Sequence, residues 1–237
     1  MASRLLSLTC DAREPDGLAA FWGALLDREV VADPRGPLLA GSETQVGLRF
    51  VRSEEAHNGP NPTHLHVTSA STGDQERLVA DALAAGASHL DVGQLPEEGH
   101  VVLADPEGNA FCVIEPGNGF LAGCGPLGEL AGDGSPAVGR FWAEALGWSL
   151  VWDEGEETAI QSPAGGTKVA WGGLSADRSG QHSPQRFELV ATGDAVVDAE
   201  VERLVALGAS VLEDVRQPAG AGHVLLADPD GAQFELR

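Results

Sequence analysis

One stretch of this chain is written twice, and the distance between the copies constrains how the rest can be divided. Residues 99–111 run Gly-His-Val-Val-Leu-Ala-Asp-Pro-Glu-Gly-Asn-Ala-Phe, and residues 222–234 run Gly-His-Val-Leu-Leu-Ala-Asp-Pro-Asp-Gly-Ala-Gln-Phe. In each copy an apolar run meets Asp-Pro-x-Gly and a second run follows. Pro presets φ at the second turn position, Asp accepts a backbone N–H, and Gly tolerates a left-handed conformation. Each copy therefore predicts a β-hairpin, with strands at about 100–104 and 110–115, and again at about 223–227 and 232–236. Asp105 and Asp228 lie 123 positions apart in a chain of 237 residues, which predicts two halves of similar build.

Other pairs repeat at nearly the same offset. Phe21-Trp22 matches Phe141-Trp142, Thr44 matches Thr167, Gly86-Ala-Ser matches Gly208-Ala-Ser, and His100 matches His223. Hydrophobic periodicity then divides each half into two similar units. The first half predicts a strand at 5–10 and a helix opened by Glu14-Pro15-Asp16, with Leu18, Phe21, Trp22 and Leu25 on one face. Short strands at 29–32, 38–41 and 45–52 complete the first unit, and residues 53–62 form a loop. A strand at 63–69, a helix at 74–85 ended by Gly86, and strands at 88–92, 100–104 and 110–115 complete the second.

Residues 117–125 are Gly-rich and predict a linker between a domain at 1–116 and a domain at 126–237. The second domain repeats the scheme. It has a strand at 126–131, a helix capped by Ser135 and opened by Pro136, and strands at 148–153, 157–161 and 167–172. A loop at 173–184, a strand at 185–191, a helix at 194–207 and strands at 210–215, 223–227 and 232–236 follow.

Composition bounds the function. The net charge is −22, from 36 acidic against 14 basic residues, and Lys168 is the single lysine. Such a surface repels phosphate backbones and anionic lipid, which argues against nucleic-acid and membrane roles. It suits a cationic small molecule or a basic partner, although acidity also serves solubility. No run approaches a membrane span, and the N-terminus carries no apolar leader. With Cys10, Cys112 and Cys124 an odd set of thiols, a reduced, cytoplasmic setting is expected.

Four βαβββ units, an Asp-Pro-x-Gly hairpin closing each half, and Phe-Trp on the first helix of each half resemble the vicinal oxygen chelate superfamily. That group includes glyoxalase I, bleomycin- and fosfomycin-resistance proteins and extradiol dioxygenases. Thr9-Cys10-Asp11, the stretch from Pro15 to Trp22, and Leu103–Val113 are similar to its glyoxalase-like branch. The resemblance implies an α+β fold of two tandem glyoxalase-like domains, each of two βαβββ units with cup-shaped mixed β-sheets.

It also implies where a divalent metal would sit. Metal-dependent members place His on the first strand, His, Gln or Glu on the fifth, Glu on the eighth and an optional acid on the fourth. Counted within each half, those positions are Ser7, Leu48, His64 and Cys112, then Leu127, Trp171, Arg186 and Glu235. Arg186 is a permanent cation and cannot ligate. Neither half holds the full set, so no metal and no cofactor are expected. Strand register leaves Thr9 or Glu129 as alternatives that could point inward.

Seven residues are expected to line the cups: His64, His66, Cys112, Trp171, Arg186, Glu188 and Glu235. His64 and His66 share one face of a strand. Cys112 is either a thiol partner of His64 or a small buried hydrophobe. Arg186 and Glu235 are either an ion pair where a metal would sit or two surface groups. Trp148, Trp152 and Trp171 supply aromatics either to a cup or to the core. The expected function is metal-independent binding of a small organic ligand, cationic or aromatic, as in drug-sequestering members. The alternatives are an enzyme of the same superfamily and a structural or oligomeric module. The partners expected are that ligand and a second copy of the chain.

Overall fold

The computed structural model describes residues 3–54, 61–95, 97–173, 182–191, 197–216 and 222–237. The four expected units are present. The first is β1 (Arg4–Ala12), α1 (Pro15–Leu26), β2 (Val30–Val31), β3 (Leu38–Leu39) and β4 (Gly47–Arg52). The second is β5 (Thr63–Thr68), α2 (Thr72–Ala84), β6 (Ser88–His89), β7 (Val101–Ala104) and β8 (Ala110–Ile114). The third is β9 (Leu127–Asp133), α3 (Pro136–Leu146), β10 (Ser149–Glu154), β11 (Glu157–Gln161) and β12 (Lys168–Gly172). The fourth is β13 (Gln185–Val190), α4 (Val197–Leu207), β14 (Ser210–Asp214), β15 (Val224–Ala227) and β16 (Gln233–Leu236). The expected start of α4 at residues 194–196 and most of the 173–184 loop lie outside the described residues.

The sheets do not follow the halves. One eight-stranded sheet runs β14-β15-β16-β13-β1-β4-β3-β2 and the other runs β10-β11-β12-β9-β5-β8-β7-β6. The first joins units one and four and is called the outer-unit sheet below. The second joins units two and three and is called the inner-unit sheet. Each is closed at its centre by an antiparallel pair of first strands, β1 with β13 and β5 with β9. The cups therefore draw on both halves of the chain.

Within each half, the repeated motifs tie together two units that belong to different sheets. Asp105 follows β7 in unit two and accepts a hydrogen bond from Trp22 Nε1 of α1 in unit one at 3.2 Å. Asp228 does the same for Trp142 Nε1 of α3 at 3.2 Å. The next acid in each hairpin covers the start of that same helix. Glu107 accepts from the backbone N–H groups of Arg13 and Glu14 at 2.8 and 2.7 Å. Asp230 accepts from the N–H and hydroxyl of Ser135 at 2.6 and 2.7 Å. Ser135 makes no side-chain cap of its own, contrary to expectation; the hairpin acid engages its hydroxyl and supplies a carboxylate at the helix start.

The core fills the space between sheets and helices. Leu18, Phe21, Trp22 and Leu26 of α1 and Val138, Phe141, Trp142 and Leu146 of α3 are all buried. Trp22 meets Phe111 edge-on at 5.0 Å, and Trp142 meets Phe234 at 4.9 Å. No helix among the described residues is long and apolar enough to cross a membrane.

Candidate functional site

The inner-unit sheet sets three polar side chains side by side. His66 of β5 lies opposite Glu129 of β9 on one side and Cys112 of β8 on the other. Residues paired across adjacent strands point to the same face. His66 Nδ1 and Glu129 Oε2 are 2.6 Å apart. His64, two residues away on the same face, sets its ring 4.9 Å from the His66 ring at a tilt of 55°. Ligating atoms of His64, His66 and Cys112 all lie within 4.8 Å of one another. Glu129 and Cys112 are 5% and 7% exposed.

Glu129, rather than Leu127, occupies the first-strand position of unit three. The pairing of β5 with β9 shifts at this point, so that His66 meets Glu129 and the next residue, Val67, meets Leu127. The extra residue, Gly128, forms a bulge; a Cβ there would stand 2.5 Å from Thr68 Cγ2. The bulge turns Leu127 into the core and leaves Glu129 on the cup face.

The two imidazoles differ in charge. Burial, and then the charge on His66, push His64 down to about 4, so its ring is neutral at pH 7. His66 is pushed up to about 9: burial opposes its charge, but the contacts with Cys112 and Glu129 outweigh burial.

Beside this row lies a cavity of about 500 Å³ whose lining includes His64, Glu129, Asp133, Trp152 and Glu157. Phe120 walls one side, its ring edge-on to Trp152 at 6.0 Å. Lys168 holds that wall in place, with Nζ 3.9 Å from the Phe120 ring and donating to the Phe120 carbonyl. The segment expected to be a plain linker is thus packed onto the cup, with Leu121 and Cys124 buried against Cys112, Val102 and Ile114. Trp171 reaches the cavity margin but belongs to the core, 7% exposed and edge-on to Phe187 at 6.5 Å. Trp152, 40% exposed, offers the open indole.

The outer-unit cup is filled with charge. Glu188, 1% exposed, accepts from Ser7 Oγ and Arg49 Nε, each at 2.9 Å. Arg237 Nε stands 3.0 Å from its other oxygen, and Arg35 also pairs with it. Arg186 bridges Glu235 and Asp11, each at 2.8 Å, so the anticipated Arg186–Glu235 pair is present in the interior. The fourth-strand position facing this cup is Arg49. Leu48 sits in the core at 0% exposure because β4 alternates, with Leu48 and Phe50 on the helix side.

The two cups differ as metal sites. In the outer-unit cup the carboxylates of Glu188 and Glu235 are taken up by guanidinium groups. In the inner-unit cup a thiol and two imidazoles converge, a donor set that fits a transition-metal ion. Cys112 and His64 belong to one half of the chain and Glu129 to the other; the pairing of β5 with β8 and β9 brings them together.

Two stretches, residues 7–114 and 131–237, match the model of one family, described as the glyoxalase-like domain. The chain belongs to the glyoxalase-like family. No protein of curated function matches its sequence. The glyoxalase-like fold is similar to glyoxalase I from Zea mays, at 13% identity and a TM-score of 0.65, covering 99% of this chain and 92% of that one. It is similar to the V278E variant of that enzyme at 14% identity and the same TM-score of 0.65, with 99% and 92% covered. A candidate dioxygenase from Bacillus subtilis gives 14% identity and a TM-score of 0.60, covering 99% and 86%. At these identities the likeness establishes the fold and leaves the chemistry to the site itself.

Proposed function

We propose that this glyoxalase-like protein binds a small organic cation, aromatic in part, in the inner-unit cup. One observation carries the reading. The cavity of about 500 Å³ is lined by Trp152, Phe120 and the carboxylates Glu129, Asp133 and Glu157, and by no Arg or Lys among the described residues. That volume suits a drug-sized molecule. The open indole of Trp152 attracts a cation through its π face, and the wall acids other than Glu129, which His66 already pairs, favour positive charge. The outer-unit cup offers instead a self-neutralised set of ion pairs.

Thermal shift with benzyltrimethylammonium, and with benzoate as the anionic counterpart, tests this. The cation raises Tm in a concentration-dependent way, and benzoate does not. Equal shifts from both, or a shift from benzoate alone, would sink the charge argument.

A second reading, turnover in the same cup, is favoured by the neutral His64 beside the charged His66. At pH 7 the neutral ring is a proton acceptor and the charged ring a proton donor. A bound compound whose NMR spectrum changes over hours only with intact His64 would support it. Spectra that stay constant leave binding alone.

A further inference from the structure

We propose that His64, His66 and Cys112 hold a thiophilic divalent ion of the zinc class, and that Glu129 stays outside the ligand set and fixes His66. The three donor atoms lie within 4.8 Å of one another. His66 Nδ1 is committed to Glu129 at 2.6 Å, which leaves Nε2 as its ligating atom. A carboxylate on the far nitrogen is the usual support of a metal-bound histidine, because it fixes the tautomer and the ring orientation. Three protein donors leave a fourth position open, and His64 and Glu129 both border the cavity, so that position faces the space where an organic ligand would enter.

The donor set departs from the one the superfamily resemblance implies, and the departure decides the ion. That pattern takes one ligand from each of three strands and places Glu on the eighth. Here the eighth-strand donor is the Cys112 thiol, and both imidazoles come from β5. A thiolate with two imidazoles favours zinc or cobalt, whereas magnesium and manganese prefer oxygen donors. Charge balances as well: the Cys112 thiolate and the Glu129 carboxylate together neutralise a dication. Neither of the chain's other two cysteines belongs to the convergent donors: Cys124, in the wall segment packed against Cys112, accepts from Gln161 Nε2 at 3.6 Å, and Cys10 lies on the outer-unit sheet.

Cobalt(II) added to the full chain tests the site without any organic ligand. The expected result is a thiolate-to-cobalt charge-transfer band in the near ultraviolet at one equivalent, displaced by zinc and unaffected by a large excess of magnesium. Cys112→Ser abolishes that band and Cys124→Ser keeps it. Glu129→Gln keeps the band but weakens cobalt binding by about 10- to 100-fold. His64→Ala, at the cavity surface, weakens binding with the fold intact by circular dichroism, which covers the case of a Cys112 variant that fails to fold. A folded wild-type chain with no band overturns the proposal. So does a band that survives Cys112→Ser or is lost in Cys124→Ser. A chain that takes benzyltrimethylammonium but no cobalt refutes the metal site alone.

Discussion

Replacing Glu188 by Gln removes the charge on which several arginines of the outer-unit cup converge. Glu188 is 1% exposed and Arg49 is 2% exposed, so neither can turn to water. Arg49 Nε loses its carboxylate at 2.9 Å, and its Nη2 already lacks a hydrogen-bond partner. Breaking one side of a buried pair costs about 3–5 kcal/mol. Arg49 keeps Asp33 at 2.9 Å and Arg237 keeps Glu235 at 2.7 Å, which places the cost near the lower end, about 3 kcal/mol. Urea unfolding followed by tryptophan fluorescence reads it. With a slope of about 2–3 kcal/mol per molar, the midpoint falls by about 1 M. The double variant Glu188→Leu/Arg49→Met is less damaged than Glu188→Gln, because apolar groups replace both buried charges and the half-exposed Arg35 and Arg237 can turn outward. A Glu188→Gln midpoint within about 0.3 M of wild type would refute the reasoning, as would a double variant worse than the single.

The remaining expectations concern pH and packing. Burial raises the Asp228 carboxyl to about 6 despite its donors. Its folded value lies above the unfolded 3.8, so its contribution to stability is greatest below that value and is lost as pH rises to about 6. Wild type and Asp228→Asn therefore diverge over that window by at most about 3 kcal/mol, and parallel stability–pH curves would refute it. A Cβ at Gly139 in α3 would stand 2.0 Å from Thr158 Oγ1, whereas one at Gly73 in α2 meets nothing within 4 Å. Gly139→Ala thus costs about 1–3 kcal/mol and Gly73→Ala gains up to about 1 kcal/mol, so the two Tm shifts have opposite sign. Shifts of the same sign would contradict the packing around α3.

The elements were legible because each carries a local signal. The Asp-Pro-x-Gly turns, the Phe-Trp faces and the alternation of β4 all show in the residues themselves. Arg49 was within reach: Leu48 and Phe50 flank it, and period two sends it to the opposite face. The pairing of units was out of reach. β1, β5, β9 and β13 are four copies of the same element, and no local feature says which first strands meet. Glu129 is legible only as a register alternative to Leu127, because the Gly128 bulge adds one residue and reverses the face of what precedes it. Asp230 and Glu107 act on helices far away in sequence, which no capping pattern near α1 or α3 reveals. Trp171 lies on the same face of β12 as Val169 and packs with the core, while its ring still borders the cavity.

Isothermal titration of benzyltrimethylammonium tests most directly which cup works. Trp152→Ala alters the open indole of the inner-unit cup, and His223→Ala alters a ring 3.8 Å from Glu235 in the outer-unit cup. The expected result is a loss of about 10-fold in affinity for Trp152→Ala, with His223→Ala equal to wild type. Affinity that falls with His223→Ala and holds with Trp152→Ala would place the ligand on the outer-unit sheet and contradict the assignment of the inner-unit cup as the working site.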